Sequence, residues 1–365
     1  MGARIPSWSG GRLERLLGLE HPIVQGPFGG GLSSVALTAA VSEAGGLGSY
    51  GGHILAPGEL TGLVAELRAA TGRPFAVNLW VPQPGEAELR AAPADVDRIR
   101  PYFEELGLPV PTPGRQAGQD FDDQADALLA AGPPVISFVM GVPPARVLAE
   151  ARRRGVLTIG TATTVDEAVA LEEAGLDAVV ASGSDAGGHR GAFLRPVHES
   201  LVGTFSLVPQ VADAVSVPVI AAGGIADGRG VAAALTLGAH GVQIGTGFLA
   251  TGESGASELH KAALHAPDAR VTVLTRLFSG RLARAIPNRF VREMAAFEEE
   301  VPPYPVQNAL MLGLRREAGR RGLAGLVNLW AGQAAALTAP GGARGYVERL
   351  LAETGKIMGG RPAGG

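Results

Sequence analysis

Residues 218–247 read PVIAAGGIADGRGVAAALTLGAHGVQIGTG, and this stretch decides the fold. It opens and closes on apolar runs, Pro218–Gly224 and Gly241–Gly247, hydrophobic at nearly every position. Continuous runs of this kind suit parallel strands whose sheet is covered on both faces. Between them, the segment from Asp227-Gly228 can start a helix. Strand, helix and strand within about 30 residues make one βαβ unit.

The alternation repeats outward from this unit. Further strands are expected at Pro22–Pro27, Gly46–Gly51, Phe75–Trp80, Val135–Met140, Leu157–Ala162 and Ala178–Gly183. The spacers carry helix signals. Ser33–Ala44 begins on a serine suited to an N-cap and stops at Gly45, and Thr164–Ala174 has a cap, early acidic residues and Gly175 as its stop. Pro143–Arg154 has prolines at its start and arginines at its end, where they complement the helix dipole. Eight such units in about 250 residues predict an α/β chain folded as a TIM-type (β/α)8 barrel. An open doubly wound sheet is the competitor, since it gives the same alternation.

Two connections exceed a simple crossover. Residues 81–134 are proline-rich and predict a surface excursion around a helix or two, and residues 184–217 begin glycine-rich and polar. Long loops on a rigid scaffold usually carry function or disorder. The expected organisation is a cofactor-binding barrel over 1–250, a mainly helical cap over 251–330, a C-terminal helical segment over 331–357 packing on the barrel, and a disordered tail over 358–365.

Composition narrows the chemistry. Of 365 residues, 46% are hydrophobic and 18% charged, so a large core is available and wholesale disorder is excluded. There is no cysteine, which removes disulfides, thiolate metal sites and a cysteine nucleophile. The net charge is −4, and only Lys261 and Lys356 are lysines. No dense basic patch suits a nucleic acid. The first twenty residues lack a long apolar core, and no run of 18 apolar residues occurs, so a soluble, cytoplasmic protein is expected. The histidines show no metal-binding spacing, and no metal is expected. GLGSYG at 46–51 and GTGFLA at 245–250 fit dinucleotide patterns, but neither has the required βαβ context.

Barrel sites lie at the carboxyl ends of the strands, with phosphate often held after the seventh and eighth. Here those ends read Ala222-Gly223-Gly224 and Gln243-Ile244-Gly245-Thr246-Gly247. Glycines let backbone amides approach an anion closely, and Thr246 adds a hydroxyl donor. The same glycines would also serve plain tight turns. After the sixth strand comes Ser182-Gly183-Ser184-Asp185-Ala186-Gly187-Gly188-His189-Arg190-Gly191. His189, flanked by glycines, suits proton abstraction or anion stabilisation, against the plain alternative of a loop histidine bonded to a carbonyl. Asp185 could orient His189 or cap a turn. Asn78, polar in the strand FAVNLW, must satisfy donors and acceptor, as a flavin pyrimidine would allow or a neighbouring loop could. Gly26-Pro27-Phe28 could present backbone and a ring face to a cofactor.

These residues lie in motifs that resemble the flavin-dependent nitronate monooxygenases, formerly 2-nitropropane dioxygenases. HPIVQGPFGGGLSSVALTAAVSEAGGLGSYGG, FAVNLWVP, GSDAGGHRG, PVIAAGGIADG and GVQIGTGFLAT occur in the family's order, followed by FSGRLARAIPNRF, YPVQNAL and NLWAGQ. The resemblance spans about residues 20–335. It implies non-covalent FMN, with His189 as catalytic base or anion stabiliser and Asn78, Gly187, Gly224 and Gln243, Ile244, Gly245 and Thr246 as FMN contacts. Gly26, Pro27, Phe28, Ser182 and Gly223 complete the expected cofactor set. Ser182 stands where glutamine is usual, Asp185 where glutamate is, and Phe28 where methionine is common. The expected reaction takes alkyl nitronates or nitroalkanes with O2 to a carbonyl compound and nitrite, in a possible homo-oligomer. The rivals are an FMN-dependent enoyl-thioester reductase using NAD(P)H, a flavin-free phosphate-binding barrel enzyme, and a catalytically silent flavin-binding relative.

Overall fold

The computed structural model describes residues 10–114 and 118–359. Eight parallel strands form the central sheet: β1 (Ile23–Gln25), β2 (Gly48–Gly51), β3 (Phe75–Trp80), β4 (Val135–Val139), β5 (Leu157–Ala162), β6 (Ala178–Ser182), β8 (Val219–Ala222) and β9 (Gly241–Ile244). Their order around the sheet is β1-β9-β8-β6-β5-β4-β3-β2. A parallel bridge between Val24 and Leu47 joins the two ends, with Gln25 N donating to Leu47 O at 2.9 Å. The sheet is therefore a closed TIM-type barrel, and the open-sheet alternative fails.

All eight expected strands are present, with Phe75–Trp80 and Leu157–Ala162 as expected and the other six shorter by one to three residues. The strand β8 stops at Ala222 because Gly223 and Gly224 take φ of 105° and 71°, outside the β region. Side chains alternate across the wall. Leu13, Leu17, Val24, Leu47, Ala76, Val135, Ile159, Val180 and Ile220 form one inner cluster, to which the helix Arg12–Leu17 contributes Leu13 and Leu17. Ile23, Val77, Ile136, Val179, Val219 and Val242 pack in the layer between strands and helices. By this parity Asn78 and Trp80 share the face of Ala76, Ser182 that of Val180, and Gln243 lies opposite to Val242. The inner face thus turns from apolar to polar toward the carboxyl ends.

The helix Val35–Glu43 is capped by Ser34, whose hydroxyl accepts from Leu37 N. Ser33, the serine before it, accepts instead from Phe28 N and Gly51 N and ties the end of β1 to that of β2. The helix Val165–Ala174 is capped by Thr164 and stops at Gly175, as its sequence requires.

A second core sits above the barrel mouth. Val96, Ile99, Tyr102 and Phe103 of the helix Pro93–Glu105 pack with Leu277, Phe278, Phe290, Met294, Val306, Leu310 and Leu314. The excursion after β3 and the chain beyond β9 therefore share one apolar core. Strands β7 (Gly188–His189), β10 (Val273–Thr275) and β11 (Ala283–Ala285) form a small antiparallel sheet in the order β10-β11-β7. The C-terminal helix Ala343–Gly359 returns to the barrel, burying Tyr346, Val347 and Leu350 in the main core. The expected tail lies, from residue 360 onward, outside the described residues.

Candidate active site at the barrel mouth

His189 is not on a free loop. It pairs with Ala283 across the small sheet, so the cap fixes its backbone. Its Nε2 lies 2.9 Å from the Ser279 hydroxyl. That hydroxyl has one proton and donates it to the Arg281 carbonyl at 3.0 Å, while accepting from Arg281 N at 3.4 Å. A Ser279 hydroxyl that gives its proton to the Arg281 carbonyl accepts from the imidazole. That arrangement goes with the Nε2–H tautomer, in which Nδ1 is the ring's lone-pair nitrogen. Among the described residues nothing bonds to Nδ1. Burial and then the nearby Arg281 charge hold the His189 pKa well below the usual 6.5, with smaller contributions from His53 and Arg315. The ring is neutral at physiological pH.

Aromatic side chains wall this imidazole. Trp80 meets it edge-on at 5.0 Å and Trp330 lies tilted at 5.1 Å. His53 stacks flat on Trp80, with centroids 3.9 Å apart and planes 4° apart, and Tyr304 lies 5.4 Å from the same indole. Burial, reinforced by Arg281, lowers the His53 pKa to about 3, so it serves as a flat neutral ring. Gly29 makes room for it, since a Cβ there would fall 2.2 Å from His53 Cε1. The guanidinium of Arg281 lies 5.8 Å from the Trp80 centroid and 5.1 Å from that of Tyr304, and it pairs with Glu86.

The loop before His189 is held from beneath by two largely buried arginines. Arg190, 1% exposed, donates to Gly183 O at 2.6 Å and Ser182 O at 2.9 Å, and Arg284 donates to Ser184 O at 2.9 Å. Burial lowers the Arg190 pKa to about 10, still fully charged at neutral pH. Asp185 does not reach His189. Its carboxylate accepts from Thr204 N at 2.8 Å, at the start of the helix Thr204–Ala214.

The expected cofactor residues converge on this mouth. Gly26, Pro27 and Phe28 follow β1, and a Cβ on Gly245 would touch the Phe28 ring at 3.7 Å. Gly223 approaches Ala186 N and Gly183 O so closely that a Cβ would fall 2.9 and 3.2 Å from them. Gly187 abuts the Ala331-Gly332 backbone, and Gly332 N donates to the Thr246 hydroxyl at 2.9 Å. That hydroxyl keeps its own proton free to donate. Among the described residues no acceptor meets the amides of Gly223, Gly224 or Gly245. Asn78 sends its amide donors to Ser137 O and Oγ, both at 3.1 Å, while among the described residues nothing donates to its Oδ1. Ser182 and Gln243 stand at the ends of β6 and β9, and Ile244 is buried.

The arrangement is a glycine-lined cradle with free amide donors, beside a neutral, oriented imidazole under an aromatic and cationic wall. Sequence reasoning missed His53, Ser279, Arg281 and Tyr304. Trp80 had a signal, because it lies two residues after Asn78 on one strand and so shares its face.

Comparison with known proteins gives the family. The family model described as nitronate monooxygenase matches residues 11–353. A probable nitronate monooxygenase from Staphylococcus aureus (strain Newman) is 40% identical over 352 residues, 96% of this chain and 99% of that protein. A nitroalkane oxidase from Streptomyces ansochromogenes superposes with a TM-score of 0.86 at 41% identity, covering 95% of this chain and 99% of that one. FabK from Thermotoga maritima superposes less well, with a TM-score of 0.76 at 32% identity over 96% and 97% of the two chains. The chain belongs to the nitronate monooxygenase family. It is accordingly an enzyme of a flavin-dependent oxidoreductase class whose members oxidise nitronates.

Proposed function

We propose that this protein converts alkyl nitronates, and nitroalkanes once deprotonated, into a carbonyl compound and nitrite with O2 and non-covalently held FMN. The cradle fits a phosphorylated flavin. Gly223, Gly224 and Gly245 offer unpaired amides and Thr246 a hydroxyl proton, the donor set a phosphate takes. Asn78 Oδ1 offers an acceptor to a pyrimidine N–H, and Gly26, Pro27, Phe28, Ser182, Gly187, Gln243 and Ile244 line the remaining approach. When bound, the flavin supplies electron acceptance and the reaction with oxygen.

His189 carries the reading. Its Nδ1 would take the α-proton of a neutral nitroalkane, while Ser279 keeps the ring in the tautomer that exposes that nitrogen. Trp80, Trp330 and Tyr304 enclose the substrate and restrict water. For a substrate that arrives as the nitronate no proton need be removed, and His189 then positions the anion.

Anaerobic mixing tests the proposal against its closest rival. Alkyl nitronate should bleach the bound flavin promptly, whereas NADPH should not. His189→Asn should retain flavin yet lose about 10²–10⁴-fold in kcat/KM with nitroalkane, the usual contribution of a general base. Rapid bleaching by NADPH with none by nitronate would favour an enoyl-thioester reductase, the reading suggested by the FabK likeness, and would sink this one.

A further inference from the structure

Arg281 occupies an unusual position for a cation. Its side chain is only 13% exposed, lies against two aromatic rings and pairs with Glu86, itself 17% exposed. Its main chain is knotted to the catalytic histidine, since the Ser279 hydroxyl that receives His189 Nε2–H also bonds both Arg281 N and Arg281 O. A guanidinium carries five N–H donors. The Glu86 pair engages Nη2, and among the described residues no acceptor meets Nε or Nη1. By contrast, Arg289 on the cap surface spends Nε, Nη1 and Nη2 on Glu105 and Glu293.

The surrounding charges do not cancel it. Among the described residues Arg315, from the helix Leu312–Arg320, bonds to Asn308 and to Met311 O and to no carboxylate, and its charge also reaches His189. Burial raises the Tyr304 pKa, so the phenol is neutral, as are His53 and His189. Arg281 and Arg315 against Glu86 leave one positive charge in excess among these three groups, beside the aromatic wall. Such a wall suits an anion.

Building on the nitronate-oxidase reading above, we propose that Arg281 is a specificity-determining residue that recognises the negative charge of the nitronate and sets the enzyme's preference for nitronate over neutral nitroalkane. The chemistry is consistent on both sides. A nitronate spreads its charge over two oxygens, which suits the free, diverging donors of a guanidinium held in a poorly hydrated wall. The same positive charge disfavours an imidazolium, so it weakens His189 as a base toward neutral nitroalkane while strengthening capture of the anion. One residue thus shifts both substrates in opposite directions.

The test compares Arg281→Gln with Arg281→Lys, which differ in charge while both can still meet Glu86. Flavin retention confirms that each holoenzyme is folded. With Arg281→Gln, KM for an alkyl nitronate should rise by about ten- to a hundredfold, as expected for losing one partner of a desolvated charge pair. KM for the matching neutral nitroalkane should stay within about twofold, on the same argument that it carries no charge. Arg281→Lys should recover most of the nitronate KM. Histidine NMR supplies a readout without turnover: the His189 pKa should rise in Arg281→Gln and stay near wild type in Arg281→Lys. Equal losses toward both substrates, or an unmoved His189 pKa, would overturn the assignment to Arg281. If wild-type holoenzyme itself fails to oxidise nitronate, the functional reading falls instead, so the two failures are distinguishable.

Discussion

At the scale of single residues, the site depends on which nitrogen of one ring carries a proton. With the Ser279 proton on Arg281 O, its hydroxyl accepts from His189 Nε2. Removing that acceptor frees the neutral ring to protonate at Nδ1, which, on the role proposed for His189, withdraws the base from the substrate. Ser279→Ala should lower kcat/KM with nitroalkane by about tenfold, the worth of roughly one hydrogen bond. Nitronate turnover, which needs no proton abstraction, should change much less, and Ser279→Thr should restore the nitroalkane rate. The pH dependence follows from the same ring. A base must be neutral, and the His189 pKa lies well below 6.5, so the acid limb of kcat/KM for nitroalkane belongs below pH 6.5 rather than at it. A limb centred at or above pH 6.5 would contradict the neutral, desolvated ring. His189 could be singled out in the sequence because glycines frame it at a strand end. Ser279 and Arg281 could not, because nothing in a serine or in one of many arginines announces that a cap strand will pair with β7. The question left open for Asp185 was resolved by Thr204, nineteen residues onward, which only the folded loop brings beside it.

At the scale of elements, the barrel was legible because buried parallel strands are apolar at nearly every position, whatever their neighbours do. The strand ends were not, because a run such as PVIAAGG stays apolar past the point where Gly223 and Gly224 turn out of the sheet. The loop between β6 and β7 shows why glycine recurs there. It is packed by backbone on both sides and hung from Arg190 and Arg284, so side chains are excluded for lack of room rather than for flexibility. Gly187 gives the sharpest test, because its φ is not positive and only space forbids a side chain. A Cβ there would lie 2.4 Å from Gly332 N and 2.6 Å from Ala331 C, and neither backbone atom can swing aside. Gly187→Ala must therefore push the 331–332 segment away, taking Trp330 from His189 and Gly332 N from the Thr246 hydroxyl. We expect a stable barrel by far-UV circular dichroism, with flavin affinity reduced by about tenfold or more, the worth of one lost charge-assisted contact. Unchanged flavin affinity would mean the 331–332 segment does not brace the cradle.

At the scale of the whole molecule, the cap is an apolar body assembled from two distant stretches of chain. The helix Pro93–Glu105 and the region from Leu277 to Leu326 share it, and no periodicity in either stretch points to the other. This explains why residues 81–134 read as a surface excursion from sequence alone. Phe290 sits at the junction, fully buried, with its ring 4.9 Å from both Tyr102 and Phe278. Phe278 in turn meets Trp330 edge-on at 6.1 Å, so the cap core reaches the catalytic wall through two rings. Phe290→Ala should cost about 3–5 kcal/mol, the usual price of an aromatic-sized hole in a core. Its location decides where that loss is felt. The barrel keeps its own larger core and its closing bridge, so the cap should loosen first. Two of the three tryptophans, Trp80 and Trp330, line the mouth, so fluorescence follows the cap while far-UV circular dichroism is dominated by the barrel. In urea, the variant should show its fluorescence transition at lower denaturant than its dichroism transition, with bound flavin released in the first. Wild type should unfold with the two signals together. Coincident transitions in Phe290→Ala, shifted equally, would instead show that cap and barrel melt as one unit, and that the wall over His189 is as firmly held as the strands beneath it.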